Sequence, residues 1–141
     1  MTDPDTTMVE QTLRIGAKPE TVWRYWIDPE RMGAWWGAAE LDPRPGGACV
    51  VEMGGGGVMR GEYVELVPHE RIVLSFGWDA TESAPAVAPG STVVEITLTP
   101  DGDDTVLVLR HIGLPAPERD EHRAGWGHFL PILAAAAAAN D

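Results

Sequence analysis

The sequence has one cysteine, Cys49, and one lysine, Lys18. A lone cysteine forms no intramolecular disulfide and gives no sign of an oxidising compartment. Basic charge is scarce: Lys plus Arg number 10 against 22 Asp plus Glu, a formal net charge of −12. Nucleic acids and anionic membranes attract clustered Lys and Arg, and here the basic residues stand singly. Neither is expected as a partner, and the acidity reads as solubility. No apolar run approaches the ~18 residues that a membrane span needs. Met1 to Thr7 is polar, reads as a flexible N-terminus and lacks the basic-then-apolar pattern of a signal peptide. A cytoplasmic protein is expected. Chemical motifs are missing too. No HExxH or paired-cysteine motif suggests a metal, and Glu118 with His122 at i, i+4 supplies only two ligands on an exposed helix start. Ser75, Ser83 and Ser91 lie in no GxSxG context, and Cys49 has no His near it in sequence. Gly54 to Gly57 are followed by neither a helix nor Lys-Ser/Thr, so they read as a hairpin turn rather than a phosphate cradle. No metal, cofactor or covalent nucleophile is expected.

What is present describes one globular domain over 1–141. The chain is 44% hydrophobic and 23% charged, long enough to bury roughly 68% of its unfolded surface. Val9, Gln11, Leu13 and Ile15 alternate as one face of a strand. Pro19 opens a helix carrying Val22, Trp23 and Trp26, which Asp28-Pro29 breaks. Asp28 caps a second helix to about Trp36, stopped by Gly37. Strands follow at Leu41–Arg44, Cys49–Met53, Val58–Val67, Arg71–Trp78, Thr92–Thr99 and Thr105–His111, with turns at Pro68-His69-Glu70 and Pro100–Asp104. Asp79 to Gly90 reads as a long mobile loop. The cluster Asp101, Asp103, Asp104 reads as a solvated turn.

Glu118 to Ala139 reads as a closing helix, with residues 134–141 as its C-terminal end. Trp126, Phe129, Leu130, Leu133 and Ala137 form one apolar stripe. Gly125, Gly127 and Pro131 weaken it, and a bend is expected near Gly127. Strands joined by short turns are antiparallel, and only this last helix is long enough to cover their apolar face. A curved sheet wrapped around one long helix leaves a gap between them.

A series of short motifs runs along the chain in order. It starts with Pro19-Glu20-x-Val22-Trp23, Asp28-Pro29-Glu30 and Trp35-Trp36-Gly37. Asp42-x-Arg44-Pro45-Gly46-Gly47, Gly61-Glu62-Tyr63-Val64-Glu65 and Pro68-x-Glu70-Arg71-Ile72-Val73 follow. His111-x-Gly113-Leu114-Pro115 and His122-x-x-Gly125-Trp126 complete it. From about Val9 to Leu133 the chain resembles the START-like (SRPBCC) superfamily, in its heat-shock-protein-90 ATPase activator homologue branch. The resemblance implies an α+β helix-grip fold: a curved antiparallel sheet of six to seven strands around a long C-terminal helix, with two short helices after the first strand. It implies a cavity for lipids, polyketides or other hydrophobic molecules, and in some members cyclase or other enzymatic activity. The co-chaperone that names the branch has a separate N-terminal domain, for which this length leaves no room, so chaperone activation is not implied. Pro131 departs from the regular helix of the family, and the reading leaves open whether it opens a portal or only bends the helix.

Six tryptophans in 141 residues are the most informative feature. Trp23 and Phe76 read as core. Trp35 and Trp36 point ~100° apart on a helix, so one enters the core while its neighbour edges a cavity or the surface. Trp78 ends an inward-facing strand, and Trp126 lies on the closing helix. With Met53, Met59, Phe129, Leu130 and Leu133 these side chains suit a planar apolar ligand; for each tryptophan the other reading is an ordinary core or rim residue. His111 sits on the inner face of the last strand. It is either bonded to a backbone carbonyl or the closing helix, or it orients a ligand or moves protons. His122 shares the helix face of Trp126 and can approach the same space; Tyr63 and Arg60 are neighbours whose face the preceding glycines leave open. The leading expectation is a non-enzymatic binder of a small hydrophobic or aromatic molecule, lipid-like or polyketide-like, oriented by His111 or Tyr63. The alternatives are a polyketide cyclase or aromatase-like enzyme using His111, His122 or Tyr63, and an interaction module acting through an exposed Trp35-Trp36 edge or as a homodimer.

Overall fold

Alternating apolar residues build the sheet, and its strand order places the cleft. A computed structural model describes residues 8–53, 57–80 and 86–141. The elements are β1 (Met8–Ile15), α1 (Pro19–Ile27), α2 (Pro29–Met32), β2 (Ala38–Leu41), β3 (Ala48–Glu52), β4 (Val58–Val67), β5 (Arg71–Phe76), β6 (Thr92–Asp101), β7 (Asp104–Ile112) and α3 (Arg119–Ala139). A 3₁₀ turn over Ala116–Glu118 leads into α3. The seven strands form one antiparallel sheet in the order β1-β7-β6-β5-β4-β3-β2. This is the helix-grip arrangement. Among the described residues no helix is long and apolar enough to cross a membrane.

Each strand buries the face its alternation points to. Val9 and Ile15, Cys49 and Val51, Val94, Ile96 and Leu98, and Leu107, Leu109 and His111 all turn inward. They meet Trp126, Leu130, Leu133 and Ala137 of α3 in one core. Gln11, polar on that inner face, donates from Nε2 to the Arg123 carbonyl (2.8 Å) and ties β1 to α3. Pro131 lies inside α3 on its exposed side and does not border the cleft.

Asp28 does two jobs, as its position between two helices suggests. Its N–H closes α1 on the Arg24 carbonyl, and its carboxylate accepts from the Glu30 N–H (3.0 Å) to cap α2. The second helix is shorter than expected: α2 is one turn, and 33–36 continue as turns. The strand expected at Leu41–Arg44 lies at Ala38–Leu41, because Gly37 releases the chain directly into pairing with β3. β5 ends at Phe76, and Trp78 forms an isolated bridge to Met59. The acidic turn after β6 is not simply solvated, since Arg14 of β1 pairs with both Asp101 and Asp104 (2.8 Å to the latter). The expected N-terminal flexibility at 1–7, most of the Gly54 to Gly57 turn, and Ser83 with the middle of the Asp79–Gly90 loop lie outside the described residues.

Candidate functional site

A cleft of about 270 Å³ opens between the end of the sheet and the first half of α3. Trp36 comes from the turn after α2, Met53 from the end of β3, and Phe76 and Trp78 from the end of β5. Glu121, His122, Gly125, Trp126 and Phe129 come from α3. Their spacing repeats every three to four residues, so they share one helical face. The rings crowd together: Trp36–Trp126 centroids are 5.3 Å apart, Phe76–Trp78 5.4 Å and Phe76–Trp126 6.0 Å. Trp36 also stacks on Trp35 at 5.1 Å, 15° from parallel.

Behind the aromatic wall the polar atoms are joined in two chains. An indole N–H only donates. The Trp126 Nε1–H therefore donates to His111 Nδ1 (3.1 Å), which fixes the His111 proton on Nε2. That Nε2–H donates to Thr92 Oγ1 (2.8 Å), and the Thr92 hydroxyl donates to the Phe76 carbonyl (2.8 Å). The second chain follows the same logic. The Trp78 Nε1–H donates to His122 Nε2 (3.1 Å), and His122 Nδ1–H donates to the Glu118 carbonyl (2.8 Å). Every ring nitrogen of both imidazoles is engaged. Burial, with His122 adding a smaller push, drives His111 from 6.5 down to about 3. The two imidazoles are 5.6 Å apart, near-perpendicular.

Six of the expected ligand-contacting residues border the cleft: Trp36, Met53, Phe76, Trp78, Trp126 and Phe129. His122 joins them, while His111 lies fully buried just behind. Met59, Leu130 and Leu133 are buried core residues and do not border it. Tyr63 is turned inward by the β4 alternation, but its hydroxyl donates to the Trp26 carbonyl (2.7 Å), and burial pushes the phenol well above its usual range. It braces α1 against the sheet and does not reach the cleft. Arg60 faces the other way and pairs with Asp79 at 2.7 and 2.9 Å. The expected exposed Trp35-Trp36 edge does not exist. Both indoles are under 5% exposed, because the single turn of α2 lets them stack instead of diverging, and Trp35 Nε1–H donates to the Tyr25 carbonyl (2.9 Å).

Two lining residues were missed by the sequence reading, Glu121 and Gly125. Their signal was present as the i, i+4, i+8 series Glu121, Gly125, Phe129. Gly125 read only as a weakness in the helix. In the structure a Cβ there would meet nothing within 4 Å, so the glycine leaves open space in the cleft wall. Among the described residues no three His, Cys, Asp or Glu side chains are grouped closely enough to hold a metal ion.

Residues 16–138 match the family model described as Activator of Hsp90 ATPase homolog 1-like protein. No curated protein matches the chain significantly. Among solved structures, an AHSA1-like protein of Rhizobium etli, RHE_CH02687, is 40% identical, with TM-score 0.71 over 93% of this chain and 81% of that one. Protein CV1439 of Chromobacterium violaceum is 27% identical, with TM-score 0.79 over 94% and 97%. CalU16 of Micromonospora echinospora is 24% identical, with TM-score 0.75 over 93% and 76%, and shares the fold.

Proposed function

Because the chain belongs to the family of activator of Hsp90 ATPase homolog 1-like proteins and has its START-like frame, we propose that it binds a small, largely apolar, ring-containing molecule in the cleft between the sheet and α3. The observation that carries this reading is the wall itself: five aromatic side chains and Met53 around about 270 Å³. Small-molecule pockets span ~300–1,000 Å³. This cleft falls just below that range, which favours a compact ring system over a long acyl or polyketide chain. Aromatic walls reward planar ligands through stacking and edge contacts, about 0.5–1.5 kcal/mol per ring pair beyond area burial. The engaged nitrogens of His111 and His122 favour binding over proton transfer, since a general base needs a free lone pair facing its substrate.

The test is native mass spectrometry after exposure of the protein to a small-molecule extract of its source cells. Nitrogen–proton correlation spectra of the six tryptophan indoles then locate the adduct. We expect one discrete mass shift that moves the Trp36, Trp78 and Trp126 signals. Trp23, which packs edge-on against His69 away from the cleft, should stay in place. No adduct across several extracts, or one that moves Trp23 and spares the cleft indoles, overturns the reading.

A further inference from the structure

The hydrogen-bonding capacity of the cleft wall is largely spent inside the protein. Trp78 Nε1 and both His122 nitrogens are committed to each other and to a backbone carbonyl. Trp126 Nε1 is committed to His111, whose other nitrogen is committed to Thr92. What remains for a ligand is mainly ring surface and one carboxylate. Glu121 lines the cleft and makes no ion pair or hydrogen bond among the described residues. Among the described residues no Lys or Arg lines the cleft. A second cavity of about 270 Å³ shares the Trp78–His122 partition, and it adds Asp79 and Glu118, with no Lys or Arg among its described lining residues. Asp79, which lines that cavity, is paired with Arg60.

Ring faces carry negative quadrupole potential and attract cations, more strongly when the cation is desolvated. A carboxylate at the mouth adds to the same sign. The whole chain, at −12, draws cations and repels anions over longer range. An anionic ligand would meet this field with no compensating donor.

We propose, resting on the binding reading above, that the cleft selects an organic cation: a quaternary or protonated amine on a compact apolar or aromatic body. The ammonium sits among Trp36, Trp78 and Trp126, with Glu121 as its counter-charge. The aromatic body takes the space left by Gly125.

Two isosteric probes test this directly. Benzyltrimethylammonium and neopentylbenzene have the same shape and differ in charge, with nitrogen in one where the other has carbon. Affinities are read from the indole signals of the intact protein. The cation is expected to bind at least about tenfold more tightly at low salt. Its affinity should fall several-fold in about 0.5 M salt, where the Debye length shrinks to a few ångströms. Glu121→Gln, an exposed substitution that keeps the helix face, should cut the preference for the cation by about three- to fivefold. If the neutral probe moves the cleft indoles with equal or tighter affinity, the cation inference fails and the binding reading stands. If neither probe moves them, both fail. A preference that Glu121→Gln leaves unchanged overturns the role given to Glu121.

Discussion

Replacing His111 with leucine is expected to lower the unfolding free energy by about 2–3 kcal/mol at neutral pH and to flatten its pH dependence. The side chain is fully buried, so leucine fills much of the same space. The loss comes from hydrogen bonds. Trp126 Nε1–H, on an indole only 4% exposed, loses its acceptor. Thr92 loses a donor, although it keeps the Phe76 carbonyl. The pH effect has a fixed sign. His111 is held down at about 3 in the folded protein against 6.5, so as the pH falls the unfolded chain takes the proton first. Its contribution is complete above about 6.5 and is lost as the pH falls towards about 3. Through this group alone the protein should lose about 2 kcal/mol between about pH 7 and pH 5. Urea unfolding of both proteins across that range checks it. A variant that keeps the full slope would place the titration elsewhere.

Gly61→Ala is expected to cost about 3–5 kcal/mol. A Cβ at Gly61 would stand 1.8 Å from the Ser75 carbonyl oxygen and 2.8 Å from its carbon. Those atoms are backbone and have no rotamer to escape into. The strands are locked at this point: Arg60 N–H donates to the Gly77 carbonyl (2.9 Å), and Glu62 N–H donates to Ser75 Oγ (2.9 Å). Pushing β4 off β5 breaks both bonds and displaces Met59 and Phe76 from the core. Gly125→Ala is the natural contrast. Its Cβ meets nothing within 4 Å, and alanine in a helix interior gains up to ~1 kcal/mol over glycine. Denaturant midpoints of the two variants should move in opposite directions. Similar destabilisation by both would reject the steric account.

The elements were legible where local rules act alone. Period-two alternation in β6 and β7 assigned Val94, Ile96, Leu98, Leu107, Leu109 and His111 to the inner face. Pro19 and Asp28 marked helix boundaries through their backbone chemistry. The misreadings have local causes. Trp35 and Trp36 were placed on a helix and assigned diverging directions, but α2 stops at Met32 and the turn stacks them. Tyr63 was a ligand candidate because nothing in the sequence shows that the Trp26 carbonyl, 37 positions away, takes its hydroxyl.

The sequence by itself determined the order of strands and helices, the inward faces of β1, β6 and β7, and a closing helix with a Trp126-centred stripe, while the face of β4 at Tyr63 stayed open. Alternation, proline and capping residues act over a few positions, and a single chain displays them. It also determined the field: −12, with Lys18 as the sole lysine. The tertiary structure alone decided which indoles border open space and which are core, and which polar atoms remain for a ligand. Trp78 meets His122 across 44 positions, and His111 meets Thr92 across 19. A hydrogen bond depends on distance and angle between groups that only folding brings together. The cleft is therefore a property of the packed molecule, although each side chain that lines it was visible in the chain.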